Sequence, residues 1–72
     1  MGVDITVADL RAMKKRMNRT RIVENKDIAE RLGVSIRCVE NWFTDEGKIN
    51  HRKMSEEHYL AFNRWHREVV YG

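Results

Sequence analysis

The sequence contains no proline, a single cysteine and no long apolar run. Crossing a bilayer takes about 20 consecutive apolar residues, so no membrane partner is expected. Because Cys38 has no second cysteine to pair with, a disulfide within this chain is excluded, and no basic segment with an apolar signal core opens the sequence. These absences predict a soluble protein of the reducing cytoplasm.

Residue patterns for catalysis and for metal binding are also missing. Cys38, His51, His58 and His66 match no zinc spacing, and no serine, cysteine or carboxylate pair has a spacing that suggests catalysis. A chain of 72 residues has room for one small domain, which we assign to residues 1–72, and a deep catalytic cleft is not expected at this size. The sequence predicts a binding module, not an enzyme, without a metal, another cofactor or a small-molecule effector.

Positive charge is concentrated in parts of the sequence. Residues 11–21 include six basic and no acidic residues, residues 22–46 have a net charge of −3, and residues 47–54 are basic again. Such clusters suit a polyanion such as nucleic acid, although a solvated helix face can have the same composition. The basic residues of the two clusters are Arg11, Lys14, Lys15, Arg16, Arg19, Arg21, Lys48, Arg52 and Lys53, with His51 partly charged.

The first helix is predicted from local capping signals. Thr6 and Asp9 form a near-capping box, and Ile5 and Leu10 are placed as a hydrophobic staple around it. Helical periodicity then puts apolar residues on one face and basic residues on the other. The apolar face consists of Val3, Leu10, Met13 and Met17.

Two short helices joined by a tight turn are predicted next. Asn25 is expected to cap a helix that ends at Gly33, where the turn needs a left-handed backbone. Ser35 is expected to cap a third helix that ends at about Thr44 or Glu46. The pattern predicts a helix, a three-residue turn and a helix.

A last helix is predicted after a loop at residues 47–54, with Ser55 as its cap. Leu60 and Tyr71 lie away from its inner stripe and mark a candidate self-association surface. No strand pattern of useful length occurs, so the predicted class is all-α, a compact domain of four to five helices. The inner stripe of the last helix consists of His58, Phe62, Trp65, His66 and Val69.

Residues 25–44 resemble the helix-turn-helix of the phage Cro and lambda-repressor class. A small residue, a turn glycine and apolar positions recur there at this spacing, and the basic first helix and the later loop and helix follow the same layout. The resemblance implies a lambda-repressor-like domain that acts as a small phage or prophage transcriptional regulator, a repressor, in a bacterial or phage-infected host cytosol. The matching positions are Ile28, Ala29, Leu32, Gly33, Val34, Val39 and Trp42, and all except Val34 are taken as the motif core.

The resemblance also implies how each helix meets double-stranded DNA. The third helix enters the major groove and the second lies across the backbone. Projection at 100° per residue turns Arg37, Glu40 and Asn41 away from the packed edge, whereas Ile36 is either a base contact or a flank of the core. Base contacts are expected from Ser35, Ile36, Arg37, Glu40 and Asn41, and phosphate contacts from Asn25, Lys26, Lys14, Lys15, Arg19, Arg21, Lys48, Arg52 and Lys53.

Proteins of this kind bind two-fold sites, so a homodimer on a palindromic operator is expected, formed weakly or only on DNA. Two alternatives stay open. Similar runs occur in the small subunits of phage packaging terminases and in excisionases, which also bind DNA but serve another process. The net charge of −3 over residues 22–46 instead suits a helix-turn-helix that binds another protein.

Overall fold

The computed structural model describes residues 5–72, which fold into four α-helices without a strand. The predicted all-α class is confirmed, with the smaller of the two expected numbers of helices. Residues 1–4, including Val3 from the predicted apolar face, lie outside the described residues. The helices are α1 (Val7–Asn18), α2 (Asn25–Leu32), α3 (Ile36–Trp42) and α4 (Glu56–Tyr71).

Helix α1 begins at its predicted capping signal. The Asp9 N–H donates to the Thr6 hydroxyl oxygen over 3.2 Å, and the Thr6 N–H donates to the Asp9 carboxylate over 3.3 Å. These bonds satisfy amide groups that have no partner inside the helix. The apolar residues Ile5, Leu10, Met13 and Met17 are buried, and the basic residues Arg11, Lys15, Arg16 and Arg19 are exposed.

The predicted cap of α2 is wrong by one residue. Helix α2 begins at Asn25 with Glu24 in the N-cap position, and the Glu24 N–H donates to the Asp27 carboxylate over 2.9 Å. The side-chain oxygen of Asn25 accepts a hydrogen bond from Lys14 of α1 instead, over 3.0 Å. Negative charge at Glu24 and Asp27 also suits the positive end of the helix dipole.

Gly33 ends α2 in the left-handed backbone that the sequence predicts. Its φ of 71° and ψ of 33° are values that residues with a Cβ adopt only at a cost. The next amide, of Val34, donates to the Ala29 carbonyl over 2.9 Å. Ser35 then caps α3, since its hydroxyl oxygen accepts the Cys38 N–H over 3.1 Å. The predicted helix, three-residue turn and helix are therefore confirmed.

Helix α3 ends at Trp42, earlier than the predicted end at residues 44–46. The Thr44 hydroxyl donates to a carbonyl of the preceding turn over 2.8 Å, and the Arg52 N–H from the following loop donates to the Asn41 carbonyl over 3.1 Å. Carbonyl groups of the last turn thus find partners outside the helix, and further helical turns are not needed to satisfy them.

All four helices contribute to one core, in which α2 packs against α3 and α4, and α1 packs against α4. Ser55 caps α4 as predicted, with its hydroxyl oxygen accepting the His58 N–H over 3.3 Å. Within residues 5–72, no helix combines the length and the apolar character that a membrane crossing requires. The core includes Leu10, Met13, Met17, Val23, Ile28, Ala29, Val39, Trp42, Met54, Phe62 and Trp65, with Leu32 half-buried at its edge.

Candidate nucleic-acid interface

The outer face of α3 is open to solvent. Val39 and Trp42 of this helix are buried against the core, whereas the residues on its opposite side are not buried. Ile36 is 50% exposed, so it lies on the outer face and not inside the core. The candidate base contacts Ser35, Ile36, Arg37 and Glu40 are exposed, and Asn41 is half-buried.

Arg37 is the strongest hydrogen-bond donor of this face. In the described part of the chain its guanidinium has neither a hydrogen bond nor an ion pair. A planar guanidinium of this kind can donate two bonds to O6 and N7 of guanine, and the Glu40 carboxylate can accept from N4 of cytosine. The two side chains are three positions apart on one helix, which puts them side by side on its surface.

One flank of α3 is basic because α1 packs beside the motif. Lys14 Nζ donates to the Asn25 side-chain oxygen over 3.0 Å and lies 5.4 Å from the centroid of the Phe43 ring. Lys15 is exposed next to it. These residues line one shallow depression between α1, the start of α2 and the end of α3, together with Arg11 and Asn18. The structure thus brings the candidates Lys14, Lys15 and Asn25 together.

The loop after α3 supplies a second basic flank. It returns to α3 through the bond from the Arg52 N–H to the Asn41 carbonyl, and His51 Nδ1 lies 3.0 Å from the Thr44 carbonyl oxygen. Its basic side chains are exposed beside the end of the helix, where they can contact an anionic ligand that meets α3. They are Lys48, Arg52 and Lys53.

Two of the basic residues near the motif, Arg11 and Lys26, also have acidic partners. Arg11 donates to Asp45 over 2.8 Å and to the Phe43 carbonyl over 3.1 Å, which ties α1 to the end of α3. Lys26 Nζ lies 3.5 Å from a Glu24 carboxylate oxygen. Such exposed pairs contribute about 0–1 kcal/mol of stability, so Lys26 can exchange its partner for a phosphate at little cost.

Arg21 is separated from the other candidates. It lines a different depression, beside Trp65 and the acidic side chains of α2, Asp27 and Glu30. In the same region, Arg31 donates to Glu68 over 3.0 Å. Arg19 is exposed directly after α1. The structure therefore does not bring Arg21 into the cluster that holds Lys14 and Lys15.

His66, which the sequence places on the inner stripe of α4, is a buried polar residue of this fold. It is 4% exposed, and within residues 5–72 neither ring nitrogen has a hydrogen-bond partner. Burial lowers the pKa of His66 below 6.5, and the charges of Arg16 and Arg67 lower that pKa further. The described residues include no group of three or more His, Cys, Asp or Glu side chains placed to hold a metal ion. His66 is therefore a packing residue that carries a buried polar ring.

Comparison of the chain with protein-family models, with curated proteins and with solved structures finds no match.

Proposed function

We propose that this protein binds double-stranded DNA at specific sequences and acts as a small transcriptional regulator. The observation that carries the proposal is the exposed outer face of α3, with Arg37 without a partner in the described chain, between two basic flanks. An α-helix with its side chains is about 10–12 Å in diameter. This diameter fits the major groove, which is about 12 Å wide.

Recognition and affinity would come from different residues. Arg37, Glu40 and Asn41 offer donors and acceptors to base edges, and each good pair of hydrogen bonds to a base is worth about 1–3 kcal/mol of discrimination. The flanks offer positive charge to phosphates, which supplies most of the affinity that all sequences share. The phosphate contacts we propose are Lys14, Lys15, Arg19, Asn25, Lys26, Lys48, Arg52 and Lys53.

We propose that the protein binds a palindromic operator as a homodimer, with half-sites about one helical turn apart. Leu60 and Tyr71 on the outer side of α4 are 57% and 73% exposed, and they give two copies an apolar contact. Two exposed side chains make a small contact, which suits a dimer that forms weakly or only on DNA. Occupation of the operator by this dimer would exclude polymerase, so regulation would follow the concentration of the protein.

A second candidate function is the binding of another protein through the same two helices. The observation that favours it is the acidic surface of α2, where Glu24 and Glu30 are exposed. A DNA packaging or excision protein would use the same DNA contacts as a regulator. It would differ from a regulator in the DNA sites that it selects.

Selection of bound duplexes from a random pool, followed by a salt titration, separates these functions. A regulator enriches one palindromic sequence and loses affinity steeply as salt rises. A protein-binding domain retains no duplex even at low salt. Enrichment of a site without two-fold symmetry would favour packaging or excision.

A further inference from the structure

The loop between α3 and α4 is held at its base and exposed at its tip. Besides the contacts of Arg52 and His51 with α3, the Lys48 N–H donates to the Asp45 carbonyl over 2.9 Å, and the His51 N–H donates to the Lys48 carbonyl over 3.2 Å. Residues 47–50 are all exposed. The tip is therefore presented beside α3 by a hydrogen-bonded frame and is not packed against the core.

The tip carries an apolar side chain among cations. Ile49 is 100% exposed, with Lys48 before it and Arg52 and Lys53 shortly after it. No acidic residue occurs between positions 47 and 55. Single exposed apolar residues are common on protein surfaces, but this one has three basic residues within four positions of it in the sequence, and such charges attract a polyanion. Of the two acidic residues as near, Asp45 is paired with Arg11 and Glu46 is exposed. A suitable ligand offers phosphates on two sides and an apolar surface between them.

The minor groove of DNA has this combination of surfaces. Phosphates line both of its rims, and its walls are sugars and base edges. Isoleucine is among the apolar side chains that other DNA-binding proteins insert between base steps from this groove. Because the loop is fixed at Asn41 and Thr44, near the end of α3, it lies at one edge of the major groove that we assign to that helix. Beyond that edge is one phosphate strand and then a minor groove.

We propose that residues 47–53 form a second DNA contact, in which Ile49 inserts into the minor groove next to the α3 site. Lys48, Arg52 and Lys53 hold the phosphates of that groove's rims. The inference rests on the proposed DNA binding and adds a residue and a groove to it. Anionic lipid is a weaker fit, because one isoleucine buries too little apolar surface for stable anchoring.

Methylation by dimethyl sulfate tests the inference, because this reagent modifies guanine N7 in the major groove and adenine N3 in the minor groove. The duplex is the one selected from the random pool, flanked by A·T pairs. Wild-type protein should protect guanines in the α3 site and adenines in the adjacent minor groove. Ile49→Ser should keep the guanine protection, lose the adenine protection and bind about tenfold more weakly, as expected for loss of a buried apolar side chain.

Ile22→Ser is the matched control. Ile22 is 79% exposed in the loop between α1 and α2, next to Arg21, which lies apart from the proposed interface. This variant should protect both grooves as wild type does. Both substitutions replace exposed side chains, so circular dichroism should show the wild-type melting temperature for each.

Three results would overturn the inference. If Ile49→Ser leaves the adenine protection and the affinity unchanged while guanines stay protected, the loop tip makes no minor-groove contact, and the proposed DNA binding stands. If wild-type protein protects no selected duplex at all, the proposed DNA binding fails first. If Ile49→Ser changes only sedimentation with phosphatidylglycerol vesicles, the tip binds lipid.

Discussion

Lys14 of α1 contacts both ends of the two-helix motif, because its Nζ lies 3.0 Å from the Asn25 side-chain oxygen and 5.4 Å from the centroid of the Phe43 ring. Asn25 is the first residue of α2, and Phe43 directly follows α3. One cation thus joins the basic helix to the start and to the end of the proposed DNA-binding unit. Lys15, its neighbour, is exposed and free of such contacts in the part of the chain that the structure describes.

The two lysines should therefore respond differently to substitution. Lys14→Met should lower the free energy of unfolding by about 1 kcal/mol, since a partly buried hydrogen bond is lost, and should also weaken DNA binding. Lys15→Met should leave the free energy of unfolding unchanged and should reduce the slope of log affinity against log salt by about 0.9, the value for one phosphate contact. Urea unfolding and salt titrations measure both effects. Equal stability of the two variants would show that the Lys14 contacts add nothing.

Gly33→Ala should destabilise the protein by about 1–2 kcal/mol through the backbone alone. Apart from Gly33 and its two chain neighbours, no residue has an atom within 4 Å of the position that a Cβ at Gly33 would occupy, so the cost comes from the φ of 71° and not from a clash. Gly47→Ala is the control, because Gly47 also has open space around it but lacks a positive φ. Urea unfolding should show a loss for Gly33→Ala only. A loss of the same size at Gly47 would contradict this assignment.

The stability of the protein should fall in mild acid because of His66. Its pKa is below 6.5 in the folded protein, so the unfolded chain binds a proton that the folded chain does not accept as the pH falls through about 6.5. The free energy of unfolding is therefore not lowered by His66 well above pH 6.5, and it declines as the pH falls below that value. Arg16 of α1 and Arg67 of α4 act in the same direction, and the Tyr71 ring packs against the imidazole with 6.4 Å between centroids.

His66→Phe removes this proton and keeps an aromatic ring in the core. Between pH 7.5 and pH 5, the free energy of unfolding of wild type should fall relative to that of the variant, as measured by urea unfolding at each pH. Parallel curves for the two proteins would mean that the folded chain accepts the proton on His66 without a penalty.

Helix starts were predictable where the capping groups are close in sequence. Thr6 with Asp9 and Ser55 with His58 are each three residues apart, and their bonds form as the sequence indicates. The cap predicted at Asn25 was wrong because Lys14, which is distant in sequence, takes its side-chain oxygen. The end of α3 was wrong for the same reason, since its partners come from the loop. The groups that do meet at the start of α2, Glu24 and Asp27, are also three residues apart, so closeness in sequence did not suffice there.

The candidate site was predictable only in part. Helical periodicity alone identifies the outer face of α3, where Arg37 and Glu40 are exposed. Periodicity within one helix contains no information about which other helix lies beside it. The burial of His66 was predicted from its place on the inner stripe of α4. The separation of Arg21 from Lys14, the frame under Ile49 and the lack of a hydrogen-bond partner for the His66 ring within residues 5–72 depend on tertiary packing and were not predicted.

The most direct test of the account is a comparison of wild type with Arg37→Ala in selection from a random duplex pool. Wild type should enrich a palindromic sequence with half-sites about one helical turn apart. Arg37→Ala should lose preference at one base pair in each half-site, at a cost of about 1–3 kcal/mol, and should keep the rest of the sequence. Unchanged preference in Arg37→Ala, or no enriched sequence with wild type, would contradict the assignment of α3 as the recognition helix.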